Sequence, residues 1–235
     1  MHFSEWEPVY IEILKDLGLD RSSDEASARS LKAVTLNSDL ISEEFLASLI
    51  TTDVIIIGGN VSDKDTELLK MISKERTDAK GRADEKGRAI ISAGSATDVL
   101  VMNGIIPDIV VTDLDGDVEL QKKASLCGAV TLIHAHGDNS DLITKHSTCF
   151  KGPIMITTQS RPDLTICNFG GFTDGDRAVC TARHFGAKRI TLIGFDLDVP
   201  VHKPGTDMQM KKRKLQWAKK VIFDMDPDDI VITSL

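Results

Sequence analysis

Three aspartates at alternate positions, Asp113, Asp115 and Asp117, close the stretch "IPDIVVTDLDGD". Carboxylates this close repel one another unless a proton or a cation sits between them. Mg2+ fills that role with one or two carboxylates, completing its shell with water and substrate phosphate oxygens. Residues i and i+2 of an extended chain project to one side, so Asp113 and Asp115 are the metal candidates. The same "DLDGD" could instead end a strand and cap the next helix, and Asp117 stands where that cap is wanted.

A second group is "HAHGDNSDL", with His134, His136, Asp138 and Asp141. Histidines and acids at this spacing suit a transition metal, proton transfer or phosphate contacts. They also suit plain structure: Asn139 or Ser140 would cap a helix and Asp141 would sit in its first turn. A third group is "CNFGGFTDGDRAV", with Asn168, Gly170, Gly171, Thr173, Asp174, Asp176 and Arg177. Its glycines permit tight turns and close backbone approach to a ligand. Thr173 or Asp174 would cap a helix whose free N–H groups suit an anion, with Arg177 in its first turn. Neither a GxGxxG fingerprint nor a Walker loop is present.

All three groups sit just after short apolar runs. "DVIIIGG", "RAIISAG", "DIVVTD", "AVTLIHAHGD", "PIMITT", "LTICNFGG" and "RITLIGFD" are rich in β-branched residues and lack polar alternation. That pattern marks strands buried on both faces. Helical patterns at 95–103, 118–127, 139–147 and 174–186 fall between them, which implies a parallel sheet with right-handed crossovers. The fold expected is α/β: a Rossmann-like, mostly parallel sheet with flanking helices, preceded by a small N-terminal helical segment. Residues 1–50 form that segment and 51–235 the catalytic domain. In open parallel sheets, ligands bind beyond the carboxyl ends of the strands. There stand the acids above, Gly94 and Ser95 after "RAIISA", and Asp196 after "RITLIGF". Near the C-terminus, "DMQMKKRKLQWAKKVIFD" reads as a basic amphipathic helix and "DIVITSL" as a last strand. The basic cluster Lys211, Lys212, Arg213 and Lys214 would reach phosphates or simply face water. The charged run 73–88 reads as a solvated loop or a lid.

Composition narrows the class of partner. The chain has 235 residues, a net charge of -8 and only 5% aromatics. An acidic, aromatic-poor surface is a poor match for nucleic acid. No run approaches the ~18 apolar residues of a membrane span, and the N-terminus lacks a signal-peptide pattern, so a cytoplasmic protein is expected. The cysteines, Cys127, Cys149, Cys167 and Cys180, form no CxxC pair and read as buried free thiols. A homodimer is the expected assembly on general grounds.

"GSATDVLVMNGIIPDIVVTDLDGD", "HAHGDNSDLI", "NFGGFTDGDRAV" and "LIGFDLD" together resemble the archaeal 6-hydroxymethyl-7,8-dihydropterin pyrophosphokinases, relatives of the thiamin pyrophosphokinases. The resemblance covers roughly residues 50 to 225, and "EWEPVYIEILKDL" also fits. It implies Mg2+-dependent transfer of pyrophosphate from ATP to a hydroxymethyl dihydropterin, releasing AMP, for folate or methanopterin biosynthesis. Asp113 and Asp115 would then carry the metal, with Asp138 and His136 as further catalytic candidates. Gly94, Ser95, His134, Asp141, Asn168, Gly170, Gly171, Thr173, Asp174, Asp176, Arg177 and Asp196 would bind substrate or ATP. Where thiamin pyrophosphokinases have Lys-Asp-Xaa-Thr-Asp, this sequence reads Gly137-Asp138-Asn139-Ser140-Asp141. "SAGSAT" lacks the aspartate of their Ala-Asp-Gly-Ala element. Both departures count against the alternative, a thiamin kinase. A nucleotide-binding module without turnover would gain little from four acids facing phosphate.

Overall fold

The computed structural model describes residues 1–79, 87–200, 207–225 and 230–235. Three helices come first: α1 (Phe3–Leu17), α2 (Arg21–Val34) and α3 (Glu43–Leu49). Strands and helices then alternate: β1 (Asp53–Ile57), α4 (Asp63–Ala79), β2 (Ala89–Ala93), α5 (Ala96–Met102), β3 (Ile109–Thr112), α6 (Val118–Leu126), β4 (Val130–Ala135), α7 (Ser140–His146) and β5 (Ile154–Thr158). The chain ends with α8 (Asp174–His184), β6 (Arg189–Ile193), α9 (Met208–Lys219), a π-helical turn (Lys220–Asp224) and β7 (Val231–Ser234).

The sheet order is β5-β4-β3-β2-β1-β6-β7, and every pairing is parallel. Sequence and structure therefore agree on the α/β class. The apolar runs lack alternation because the sheet is covered on both faces. Val54 and Ile56 of β1 pack in a core with Leu46 of α3 and Ala178, Val179 and Ala182 of α8. Ile55 and Ile57 face the other way, onto Leu69 and Ile72 of α4 and Leu100 of α5. Burying a side chain of this size contributes roughly 1.5–3 kcal/mol, so a strand with both faces covered has no use for polar positions.

The N-terminal helices join the same layers. Ala28 and Leu31 of α2 pack with Ile133, Ala135 and Ile156 of β4 and β5. Trp6, Tyr10, Ile13 and Leu17 of α1 pack with Phe172, Cys180 and Val221. The chain lays strands from β1 outward to β5, then returns to put β6 on the free side of β1. This reversal is a topological switch point, and ligands of open parallel sheets bind outside the carboxyl ends of the strands at such a point.

Three local expectations are corrected. The four cysteines are free, but Cys180 alone of them is buried; Cys127 and Cys149 are exposed and Cys167 is partly covered. "LTICNFGG" is not a strand; it makes one isolated bridge, Cys167 to Thr157 of β5. Asp163 accepts the N–H groups of Thr165 (2.9 Å) and Ile166 (3.1 Å), turning the chain before it, and Gly170 and Gly171 take left-handed φ after it. The charged run 73–88 begins as helix, because α4 extends to Ala79. The lid reading falls largely on residues 80–86, which lie outside the described residues.

Candidate active site

A cleft of about 730 Å3 opens at the carboxyl edge of the sheet. Asp113 and Asp115 after β3, and His136 and Asp138 after β4, all line it. So do Gly94 and Ser95 after β2, Thr173, Asp174 and Arg177 at the start of α8, and Asp196 after β6. The sheet register explains the convergence: Thr112 of β3 pairs with Ile133 of β4, so the segments leaving both strands emerge at the same edge. Gly94 matters at close range, since a Cβ there would stand 2.7 Å from Asp174 Oδ2.

Asp113 and Asp115 reach the cleft by a different backbone from the extended one that sequence spacing suggests. Leu114 between them has φ of 70°, alone in that region among the described non-glycine residues. Its side chain is buried against Ile133 and Ile143, and its N–H bonds Thr112 Oγ1 at 2.9 Å. Asp115 donates its N–H to Asp113 Oδ1 at 3.1 Å, closing the turn. Asp117 is the N-cap of α6, accepting from Glu119 and Leu120.

The electrostatics divide the acids. Burial pushes Asp113 toward its neutral form, but hydrogen bonding and charge from His136, and the charge of Arg177, hold it well below the carboxylate range. His136 bridges two carboxylates, Nε2 to Asp113 at 3.2 Å and Nδ1 to Asp138 at 2.9 Å. Burial opposes its charge, yet those bonds lift it to about 9, so it is an imidazolium at neutral pH. Asp138 is held low, first by His136 and in part by Lys214. Asp174 goes the other way: burial, then the charge of Asp113, raise it to about 7, against the pull of Arg177.

The Arg177 guanidinium faces inward. It donates to Asp174 Oδ1 (3.0 Å), Gln159 Oε1 (2.9 Å) and the Phe172 carbonyl (2.6 Å). Lys211 and Lys214 of α9 also line the cleft. Lys214 Nζ sits 5.8 Å from the Phe172 ring centroid, while Arg213 turns outward to Asp16 at 3.0 Å.

Other candidate residues lie behind the cleft. His134 is buried with Nδ1 3.0 Å from Thr157 Oγ1, and burial holds it neutral, well below the usual histidine value. Asp176 forms the capping box of α8, accepting the N–H groups of Phe172 and Thr173 at 2.7 Å each. Asn168 donates to the Ser160 carbonyl and accepts the Gly170 N–H, fixing the loop that carries Gly170 and Gly171. Asp141 is exposed in the first turn of α7. Within the cleft, Asp196 is engaged in a turn with the N–H groups of Asp198 and Val199.

The residues present fit Mg2+. The acidic groups lining the cleft offer hard carboxylate oxygens, and burial, then the charge of Asp113, raise Asp174 to about 7. Such an excess of negative charge is what a cation would relieve. Among the described residues no three His, Cys, Asp or Glu side chains form a metal cage. Mg2+ needs none where water and phosphate complete its shell.

Three participants are not evident from sequence. Asn139 is buried and binds three groups: its Oδ1 accepts the His136 N–H, and its Nδ2 donates to the Asp113 and His134 carbonyls. Sequence reading offers it only as a helix cap, and its place near His136 is the one signal of a larger role. Asp24 and Gln159 also line the cleft, from α2 and the end of β5. Nothing in "SSDEAS" or "ITTQS" marks them.

Known proteins resemble this chain to different extents. The family model "6-hydroxymethylpterin diphosphokinase MptE-like" matches residues 82–201. A Pyrococcus furiosus protein named 6-hydroxymethyl-7,8-dihydropterin pyrophosphokinase is 36% identical over 93% of this chain and 95% of its own. One of the same name from Methanothermobacter thermautotrophicus is 36% identical over 94% of each chain. Among solved structures, the MAf glycosyltransferase of Magnetospirillum magneticum aligns with TM-score 0.47 and 17% identity, over 79% of this chain and 34% of that one.

Proposed function

The chain belongs to the MptE-like 6-hydroxymethylpterin diphosphokinase family, and we propose that ATP is its pyrophosphate donor and Mg2+ its metal. It is a diphosphokinase of pterin biosynthesis, transferring pyrophosphate to 6-hydroxymethyl-7,8-dihydropterin. The observation that supports the metal and donor reading is the convergence of Asp113, Asp115, Asp138 and Asp174 with Arg177, Lys211 and Lys214 on one cleft at the carboxyl edge of the sheet.

In the reaction, the substrate hydroxyl oxygen bonds to the β-phosphorus of ATP. The bond from that phosphorus to the α-phosphate oxygen breaks, AMP leaves and the hydroxyl proton is released. Asp113 and Asp115 would hold Mg2+, which neutralises phosphate charge when bound. His136 holds Asp113 in place from one side and Asp138 from the other. Lys214 and Lys211, which line the same cleft, would offer positive charge to phosphate. Phosphoryl transfer has a loose transition state, so positioning and charge matter more than a strong base.

The test is AMP release from ATP and Mg2+ with the pterin, with thiamin as the control acceptor. AMP formed with the pterin and not with thiamin is expected; no AMP with the pterin overturns the reading. A cytoplasmic homodimer belongs to the same proposal, and light scattering of the purified chain tests the assembly. Among the described residues no helix is long and apolar enough to cross a membrane.

A further inference from the structure

We propose that Asp24, on α2, is a positioning residue that ties the His136–Asp138 loop to the first turn of α8 through Gln159 and Arg177. The inference rests on the diphosphokinase reading for its kinetic consequence, though its geometry stands apart from it.

Asp24 is a buried carboxylate, 3% exposed, with three donors from three places in the chain. Its Oδ1 accepts the backbone N–H of Gly137 at 2.6 Å. Its Oδ2 accepts Tyr10 Oη–H at 2.5 Å and Gln159 Nε2–H at 2.8 Å. Gln159 then accepts from Arg177 Nη2 at 2.9 Å, and Arg177 Nη1 donates to Asp174 Oδ1 at 3.0 Å. An ionised carboxylate only accepts and a guanidinium only donates. A carboxamide between them is matched at both ends in one orientation, so Gln159 passes the same polarity from one loop to the other.

Gly137 lies between His136 and Asp138, so its N–H fixes where both side chains stand. Asp174 lines the same cleft. The chain of bonds from Asp24 therefore links two groups of acids on separate elements, the loop after β4 and the first turn of α8. A displacement of about 1 Å in a reacting geometry can lower turnover on the order of a hundredfold while binding is kept. Gly137 and Gln159 both line the cleft, so water can replace a lost partner, and the loop loosens without the core opening.

Asp24→Asn keeps size and one acceptor for Gly137 but turns a donor toward Tyr10 and Gln159. The expected result is a kcat at least tenfold lower with both KM values within about threefold. Amide hydrogen exchange, read in the same protein, should quicken in segments 134–142 and 172–178, although Asp24 touches only the first. Asp24→Asn/Gln159→Glu moves the carboxylate one link along and restores matched polarity. It should return kcat and both exchange rates to near wild type. A merely structural role would change exchange in 134–142 alone, or leave the double variant as impaired as the single; either result, or an unchanged kcat, overturns the proposal. If the wild type releases no AMP with the pterin, the diphosphokinase reading fails and the exchange arm still decides this one. If Asp24→Asn does not fold, Gln159→Met cuts the same link while keeping the Gly137 contact. Unaltered exchange in 134–142 in that variant overturns the proposal.

Discussion

Asp113 Oδ2 and His136 Nε2 stand 3.2 Å apart across the ends of β3 and β4. The contact keeps Asp113 ionised where burial alone would protonate it. Under the proposed Mg2+ reading, Asp115, its neighbour in the cleft, would complete a two-carboxylate seat. Asp115→Asn is expected to lower kcat by a factor of about 100 or more, the scale of losing a charge that acts on phosphate. The circular dichroism spectrum and melting temperature should stay near wild type, since Asp115 is not a core residue. Near-normal AMP release from this variant would remove Asp115 from the metal seat.

The same contact has a pH signature in metal-free protein. His136 is raised to about 9 when folded and returns to about 6.5 when unfolded. The stability it contributes is fully present below pH 6.5 and is lost as pH rises through about 9. His136→Gln should therefore be destabilised more at pH 6 than at pH 9.5. The difference is at most about 3 kcal/mol, reduced because Asp138 is water-exposed. Urea unfolding in EDTA at both pH values measures it, and equal losses at both would refute the bridge.

Lys214 lines the cleft from α9, with its ammonium over the Phe172 ring of the loop before α8. A charge-assisted hydrogen bond contributes roughly 1.5–3 kcal/mol. If it meets phosphate, Lys214→Ala should raise the KM for ATP about tenfold or more with kcat little changed. Varying ATP at saturating pterin checks this. A change in the pterin KM alone would place Lys214 at the other substrate.

The fold was legible because buried parallel strands have one simple requirement, apolar residues on both faces, and β1 to β6 meet it within a residue or two. "LTICNFGG" met the same requirement and formed no strand. Its turn bonds from Asp163 and its two left-handed glycines depend on backbone conformation, which hydrophobicity does not encode. The acids after β3 and β4 could be read as a site because the edge of a parallel sheet collects them. Asp24 and Gln159 could not, since only tertiary packing brings residue 24 beside residue 137. Asp176 and His134 were chemically suitable, but a capping box and a buried threonine contact claimed them first.

His134 gives a second pH effect of opposite direction. Burial, then the charges of Arg177 and His136, hold it neutral in the folded protein, while the unfolded chain protonates near pH 6.5. Above that pH it makes no difference to stability; below it the unfolded state gains a proton the folded state refuses, and stability falls. His134→Leu should lose less stability than wild type between pH 7 and pH 5, by up to about 2 kcal/mol. Thermal melts across that range test it, and parallel pH curves for the two proteins would contradict a neutral, buried His134.

Leu114 sets two effects against each other. Its φ of 70° costs roughly 1–2 kcal/mol for a residue with a Cβ. Its side chain, 1% exposed, is worth about 2–5 kcal/mol against truncation to alanine. Burial outweighs strain, so Leu114→Gly should still destabilise, but glycine recovers the strain and alanine does not. The expected order of stability is wild type, then Leu114→Gly, then Leu114→Ala, with about 1 kcal/mol between the two variants. That order reverses the usual one, in which alanine is the milder replacement. Urea titrations of the three proteins decide it, and alanine above glycine would mean that the turn is not strained. If Asp113 and Asp115 hold Mg2+ as proposed, the glycine variant should also bind it more weakly, because glycine frees the turn that joins them. Isothermal titration with MgCl2 reads that directly.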